Sequence, residues 1–206
     1  MIKQIRFLAA FGLFTAFMLA GCGGANVKTD YYTLRSLAQI APQTQAMANL
    51  SGYTLALGLV TLPDFITARA QIIAAEGPNK LKLMENARWA EPLDTNVTLV
   101  LTDNLTYLLK PDNILQYPWR ASAPYDLRVE VTVFTLSADH DKAYLRGVFR
   151  VTDSAASKTV DEEIDLTALL PEFTVAGIVA AQNQLVNDAS VLIAETVLQV
   201  SGKKAF

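Results

Sequence analysis

The chain has 206 residues, with 17 Lys and Arg against 20 Asp and Glu, one histidine, one cysteine and a formal net charge of −3. That balance leaves no basic footprint for nucleic acid, and the lone Cys22 excludes an intramolecular disulfide. With 51% hydrophobic residues and no long polar tract, the sequence predicts a folded chain rather than a disordered one.

The first residues, with Lys3 and Arg6 ahead of an uncharged apolar run from Phe7 to Ala20, have the layout of a secretory signal peptide over residues 1–21. A membrane-spanning helix needs roughly 20 apolar residues, and this run reaches Gly21-Cys22-Gly23-Gly24 before that length. Leu19-Ala20-Gly21-Cys22 has the form of a lipobox: a branched residue, two small ones that admit a peptidase, and a thiol that accepts diacylglycerol. The expectation is cleavage before Cys22 and a covalent diacylglycerol and N-acyl chain on that residue, with no other cofactor. One acyl chain gives only reversible attachment, whereas two or more hold firmly. Gly23, where retention in the inner membrane would favour Asp, points to the periplasmic face of the outer membrane. Removal of Lys3 and Arg6 would leave a mature net charge of −5.

Residues 22–30 are small and polar and read as a lipidated tether, followed by a single domain over 31–206. Tyr31 to Leu34 and Tyr53 to Val60 have strand-forming composition, with Pro63 stopping the second. Gln39 to Ser51 reads as a loop. Gln71 to Ala74 and Lys80 to Met84 flank the turn formers Glu76-Gly77-Pro78-Asn79 and predict a hairpin. Arg88-Trp89-Ala90-Glu91-Pro92-Leu93 leads to a helix with Asp94 or Thr95 as cap. Val97, Val100, Leu101, Leu105, Leu108 and Leu109 recur along it at helical spacing, and Pro111 ends it.

Leu127, Val129, Val131 and Val133 alternate with polar residues, as do Leu145, Gly147, Phe149 and Val151, and Lys158 to Asp165 extends these two strands to a meander. A last helix over 175–200 carries an apolar stripe from Ile178 to Val200. The predicted fold is α+β: a two-layer sandwich with a mostly antiparallel sheet and two main helices packed on one face.

No catalytic residue and no metal site is expected. His140, in Asp139-His140-Asp141, has no second histidine or free thiol to complete a site and reads as a solvated turn. The Gly-x-Ser-x-Gly nucleophile setting and the Gly-x-x-x-x-Gly-Lys phosphate loop are both missing. Asp161-Glu162-Glu163 alternates faces in a strand and reads as a charged edge or solvated turn. The sequons at Asn49, Asn96 and Asn104 are set aside as chance matches. Arg88 and Trp89 offer either a contact surface or packing beneath the helix start.

Over nearly the whole mature region the sequence resembles the auxiliary lipoproteins of MCE-type lipid transport systems, the PqiC/YmbA family. The resemblance rests on the Cys22 lipobox, Tyr31-Tyr32-Thr33-Leu34, Leu57-Gly58-Leu59-Val60-Thr61-Leu62-Pro63, Gln71-Ile72, Asn79-Lys80-Leu81-Lys82-Leu83 and Leu127-Arg128-Val129-Glu130-Val131. Its most specific block is Arg88-Trp89-Ala90-Glu91-Pro92-Leu93. One departure is Ala70, where the family pattern has proline after the arginine. The resemblance implies a non-catalytic lipoprotein, fixed at the outer membrane by Cys22, that docks an MCE-domain periplasmic protein. Tyr31, Tyr32, Arg88 and Trp89 are its candidate contact residues, and a homo-oligomeric ring is a further expectation. A lipid carrier with an internal apolar cavity is the alternative.

Overall fold

A computed structural model describes residues 28–120 and 122–205, so Cys22 and the predicted signal peptide lie outside the described residues. The central layer is a five-stranded sheet in the order β5-β2-β6-β7-β8, built from β2 (Thr54–Thr61), β5 (Asn113–Gln116), β6 (Leu127–Ala138), β7 (Lys142–Asp153) and β8 (Lys158–Leu169). β6, β7 and β8 form the predicted meander, with Val129 opposite Val151 and Gly147 opposite Ile164. Gly147 is required there: a Cβ would stand 2.4 Å from the Thr132 carbonyl oxygen, so the two strands approach closer than any side chain permits.

Beside it lies a three-stranded sheet in the order β1-β4-β3, from β1 (Asp30–Tyr32), β3 (Gln71–Ala75) and β4 (Leu81–Trp89). The β3–β4 hairpin follows the sequence reading, with Gly77 at φ +99° in its turn, a left-handed backbone that glycine adopts freely. Ala70, in place of the expected proline, uses its carbonyl to accept the Trp89 amide at 2.7 Å just before β3 begins.

The pairing is mixed rather than mostly antiparallel. β1 with β4, β2 with β5, and β2 with β6 are all parallel. Parallel pairs join segments far apart in sequence, and alternation within a strand records burial, not the direction of its neighbour.

Two long helices cover one face, as expected: α3 (Leu93–Leu109) over β2 and β5, and α4 (Val175–Ser201) over β6, β7 and β8. Two single-turn helices, α1 (Leu37–Ile40) and α2 (Asp64–Thr67), complete the helices among the described residues. α3 begins earlier than Asp94: Pro92 stands at the cap position with no side-chain bond, and Asp94 sits in the first turn, favourable to the helix dipole. Lys110, in the left-handed region at φ 48°, ends α3 just before Pro111. The segment read as a loop returns to this end, where the amides of Met47, Ala48 and Leu50 donate to the carbonyls of Leu108 and Leu109. Those last-turn carbonyls have no partner within the helix, so the loop completes it.

The core lies between helices and sheet, where Leu101, Leu105, Leu127, Val129, Phe149, Ile178 and Ile193 are buried. The space enclosed by Val97, Leu101, Val131, Val133, Val186 and Ile193 is about 10 Å³.

Candidate docking surface

Thr33 to Leu37 follows β1 as an extended strap laid along the seam between the two long helices. An extended segment cannot satisfy its own backbone groups, so buried ones need side-chain partners. Asparagines provide them from both helices. Asn96 Oδ1 on α3 accepts the Leu34 amide at 2.6 Å, and its Nδ2 donates to Glu91 at 2.9 Å. One turn pair further on, Asn104 Oδ1 accepts the Leu37 amide at 2.7 Å. From α4, Asn183 accepts the Arg35 amide and donates back to the Arg35 carbonyl, which also receives Asn187 Nδ2. Asn104 Nδ2 then ties the two helices, donating to Asn187 Oδ1 at 2.7 Å and to Ser190 Oγ at 2.9 Å.

Leu34 and Ser36 are buried by this clamp, as are Asn96, Asn104, Asn187 and Ser190. A buried polar network whose members are satisfied holds one arrangement against alternatives. Asn96 and Asn104 are sealed inside the fold; nothing in the sequence signalled that four helix asparagines converge on one strap.

The parallel register of β1 on β4 brings the four candidate contact residues together, Tyr31 opposite Arg88 and Tyr32 opposite Trp89. They are not equally available. Tyr31 is 68% exposed, whereas Trp89 is 5% exposed and packs with Ile66, Leu93 and Leu136. Trp89 thus takes the packing reading and supports the surface from beneath instead of presenting its ring. Arg88 is half-buried, and its Nη1 donates to the carbonyls of Met84, Glu85 and Ala87 at 3.3, 2.7 and 3.0 Å. The pairing of β4 with β3 slips between Gln71 and Ile73, and Arg88 lies at that irregularity, its guanidinium bonded to carbonyls of its own strand. Tyr32 is half-buried against the core. Tyr31 is the one of the four that faces solvent along its side chain.

His140 lies exposed in the β6–β7 turn, its ring stacked on Phe173 with centroids 3.9 Å apart. Among the described residues no group of three His, Cys, Asp or Glu side chains is placed to hold a metal. Burial opposes ionisation of the neighbouring Asp139, but the amides of Asp141 and Lys142 and the Tyr144 hydroxyl donate to its carboxylate and together hold its pKa below the ordinary value. A lowered carboxyl pKa gives stability that is present above the unfolded value of about 3.9 and lost as pH falls through the folded value. In urea titrations across pH, Asp139→Asn should be less stable than the wild type at neutral pH, with the gap closing below about pH 4.

Asp161 and Glu163 lie on β8, an edge strand of the larger sheet, and Arg150 on β7 grips Asp161 with Nε and Nη2 at 2.6 and 2.9 Å. The acidic run is a charged sheet edge, of the kind that discourages pairing with other chains. A groove of about 400 Å³ lined by Glu130, Thr132, Val148, Arg150 and Asp161 opens on the uncovered sheet face, and a second of about 400 Å³ runs beside the strap. No helix among the described residues is long and apolar enough to cross a membrane.

The fold and its clamp define an α+β scaffold with a pinned N-terminal segment. The chain belongs to the family of ABC-type transport auxiliary lipoprotein components, whose model matches residues 32–194. Among solved structures, a crystal structure of an uncharacterised protein shares 16% identity with a TM-score of 0.65, covering 82% of this chain and 99% of the other. A Xanthomonas campestris protein of the DUF330 family shares 11% identity with a TM-score of 0.66, covering 84% and 97%. At these identities the likeness establishes the fold. No curated protein matches the sequence.

Proposed function

We propose that the chain is a lipoprotein anchored through acylated Cys22 to the periplasmic face of the outer membrane, where it docks an MCE-domain protein of an intermembrane lipid transport system. Residues 1–21 would be removed and 22–30 would serve as tether. The observation that carries this reading is the asparagine clamp: the segment that follows β1, Thr33 to Leu37, is fixed to both long helices. Force applied at a lipid anchor would pass into the core instead of peeling a loop, as a docking subunit held between a membrane and a partner requires. Tyr31, exposed on the edge strand beside the tether, is the foremost contact residue, with Tyr32, Arg88 and Trp89 shaping the surface around it.

The carrier alternative gains no support from the interior. Ligand sites for small molecules occupy about 300–1,000 Å³, whereas among the described residues the cavity between Val97, Leu101, Val131, Val133, Val186 and Ile193 is about 10 Å³.

Replacing Cys22 with alanine tests the anchor. Fractionation should find Cys22→Ala folded and soluble while the wild type stays with the membrane, and mass spectrometry of the mature wild type should find the acyl chains on Cys22. Mature wild type without acyl chains on Cys22, or a Cys22→Ala chain that stays membrane-bound after residues 1–21 have been removed, would contradict the reading.

A further inference from the structure

The end of the β3–β4 hairpin has an unusual surface for a chain of acidic balance. Leu81 and Leu83 are 50% and 39% exposed. They stand opposite Ala75 and Ile73 on β3, so the four share one face of the hairpin. Lys82, between the two leucines, points to the opposite face by strand alternation, and Lys80 borders the turn, with Glu76 as the acidic neighbour of both lysines. Glu76, Lys80, Lys82 and Glu85 balance one another over 76–85, so the hairpin end is neutral against the −5 expected for the mature chain.

The direction of β1 relates this surface to the lipid. β1 runs parallel to β4 with Asp30 opposite Ala87, so the chain enters β1 from the side on which β4 begins. Cys22 is eight residues before Asp30, a reach of at most about 28 Å. Along β4, Leu81 lies about 20 Å from the level of Ala87 in that same direction. The hairpin end therefore falls within the span of the tether. β1 pairs only with Ala87 to Trp89, which leaves Leu81 to Asn86 with β3 as their one strand neighbour among the described residues.

We infer that the β3–β4 hairpin end rests on the phospholipid surface that holds the anchor, with Leu81 and Leu83 at the acyl boundary and Lys80 and Lys82 at anionic headgroups; this rests on acylation of Cys22. An apolar face beside cations whose stems can reach back to the headgroups is the pattern of an interfacial segment. Contact at the hairpin adds a second attachment and orients the domain, so that the lipid and the hairpin together fix which surfaces face the periplasm.

The test uses the full lipidated protein in vesicles of phosphatidylethanolamine and phosphatidylglycerol carrying a lipid-borne quencher. Single substitutions Leu81→Cys, Leu83→Cys and, as control, Tyr117→Cys, which precedes β6 at its far end, are labelled with an environment-sensitive fluorophore. At positions 81 and 83 the label should shift to shorter wavelength and lose most of its emission to the quencher; at 117 it should do neither. Lys80→Gln with Lys82→Gln should reverse part of that loss. Protein that floats with the vesicles but keeps unquenched, water-like labels at 81 and 83 would overturn the hairpin contact and leave the anchor standing. Protein that does not float would overturn both.

Discussion

Trp89→Ala should lower folding stability by about 3–5 kcal/mol, the usual cost of removing a buried aromatic ring. For a chain of this size that corresponds to a fall in melting temperature on the order of 10 °C. The indole is 5% exposed, and the residual space where it meets Ile66, Leu93 and Leu136 is about 10 Å³. Neighbours already packed to that degree have little room to collapse into the gap, which places the cost toward the upper part of the range. Its position adds leverage, because Trp89 ends β4 four residues before α3 begins and pairs through its backbone with both Tyr32 and Ala70. Trp89→Phe, which keeps most of the ring, should lose far less. Thermal melts of the two variants decide the matter: an unchanged melting temperature for Trp89→Ala would mean that the ring faces solvent and acts as a contact residue.

The second large effect is expected at Asn104. Asn104→Ala removes the acceptor of the Leu37 amide and the donor to Asn187 and Ser190, all within a buried network. Leaving a buried donor or acceptor unpaired costs about 1–3 kcal/mol each, so a loss of about 2–6 kcal/mol is expected from the pair of orphans at Leu37 and Asn187. The loss should not be uniform over the molecule. Hydrogen exchange at the Leu34, Arg35 and Leu37 amides should accelerate before global unfolding, because the strap detaches as a unit. Equal exchange in variant and wild type would show that the strap is held by apolar burial of Leu34 alone.

These two sites show what was readable in the sequence. The helices announced themselves because the apolar residues of α3 recur at three and four, and Val97, Val100, Leu101, Leu105, Leu108 and Leu109 are all buried. The meander was legible for the same reason, since Val129, Val131, Phe149 and Val151 alternate cleanly with polar neighbours. β5 and the parallel placement of β2 against β5 and β6 were not, because Asn113–Gln116 is too short to show a period and pairing direction leaves no trace in alternation. The clamp was hidden for a different cause. Asn96, Asn104, Asn183 and Asn187 look like ordinary polar helix residues, and only their convergence on a segment 62 to 152 residues away reveals them as backbone receptors. Tyr31 was singled out from the resemblance and Arg88 from its place beside Trp89, and the register of β1 brings Tyr31 and Arg88 together. Burial was the missing information that separates Tyr31, which is open, from Trp89, which is not.

The proposed docking of an MCE-domain protein is open to direct measurement. The most direct measurement is affinity isolation of the full lipidated chain from detergent-solubilised membranes, with the retained proteins identified by mass spectrometry. The wild type should retain an MCE-domain protein, and Tyr31→Ser, melting as the wild type does because that side chain is 68% exposed, should retain much less. Repeated isolation of the wild type without an MCE-domain protein, under conditions that keep a known membrane complex intact, would contradict the account.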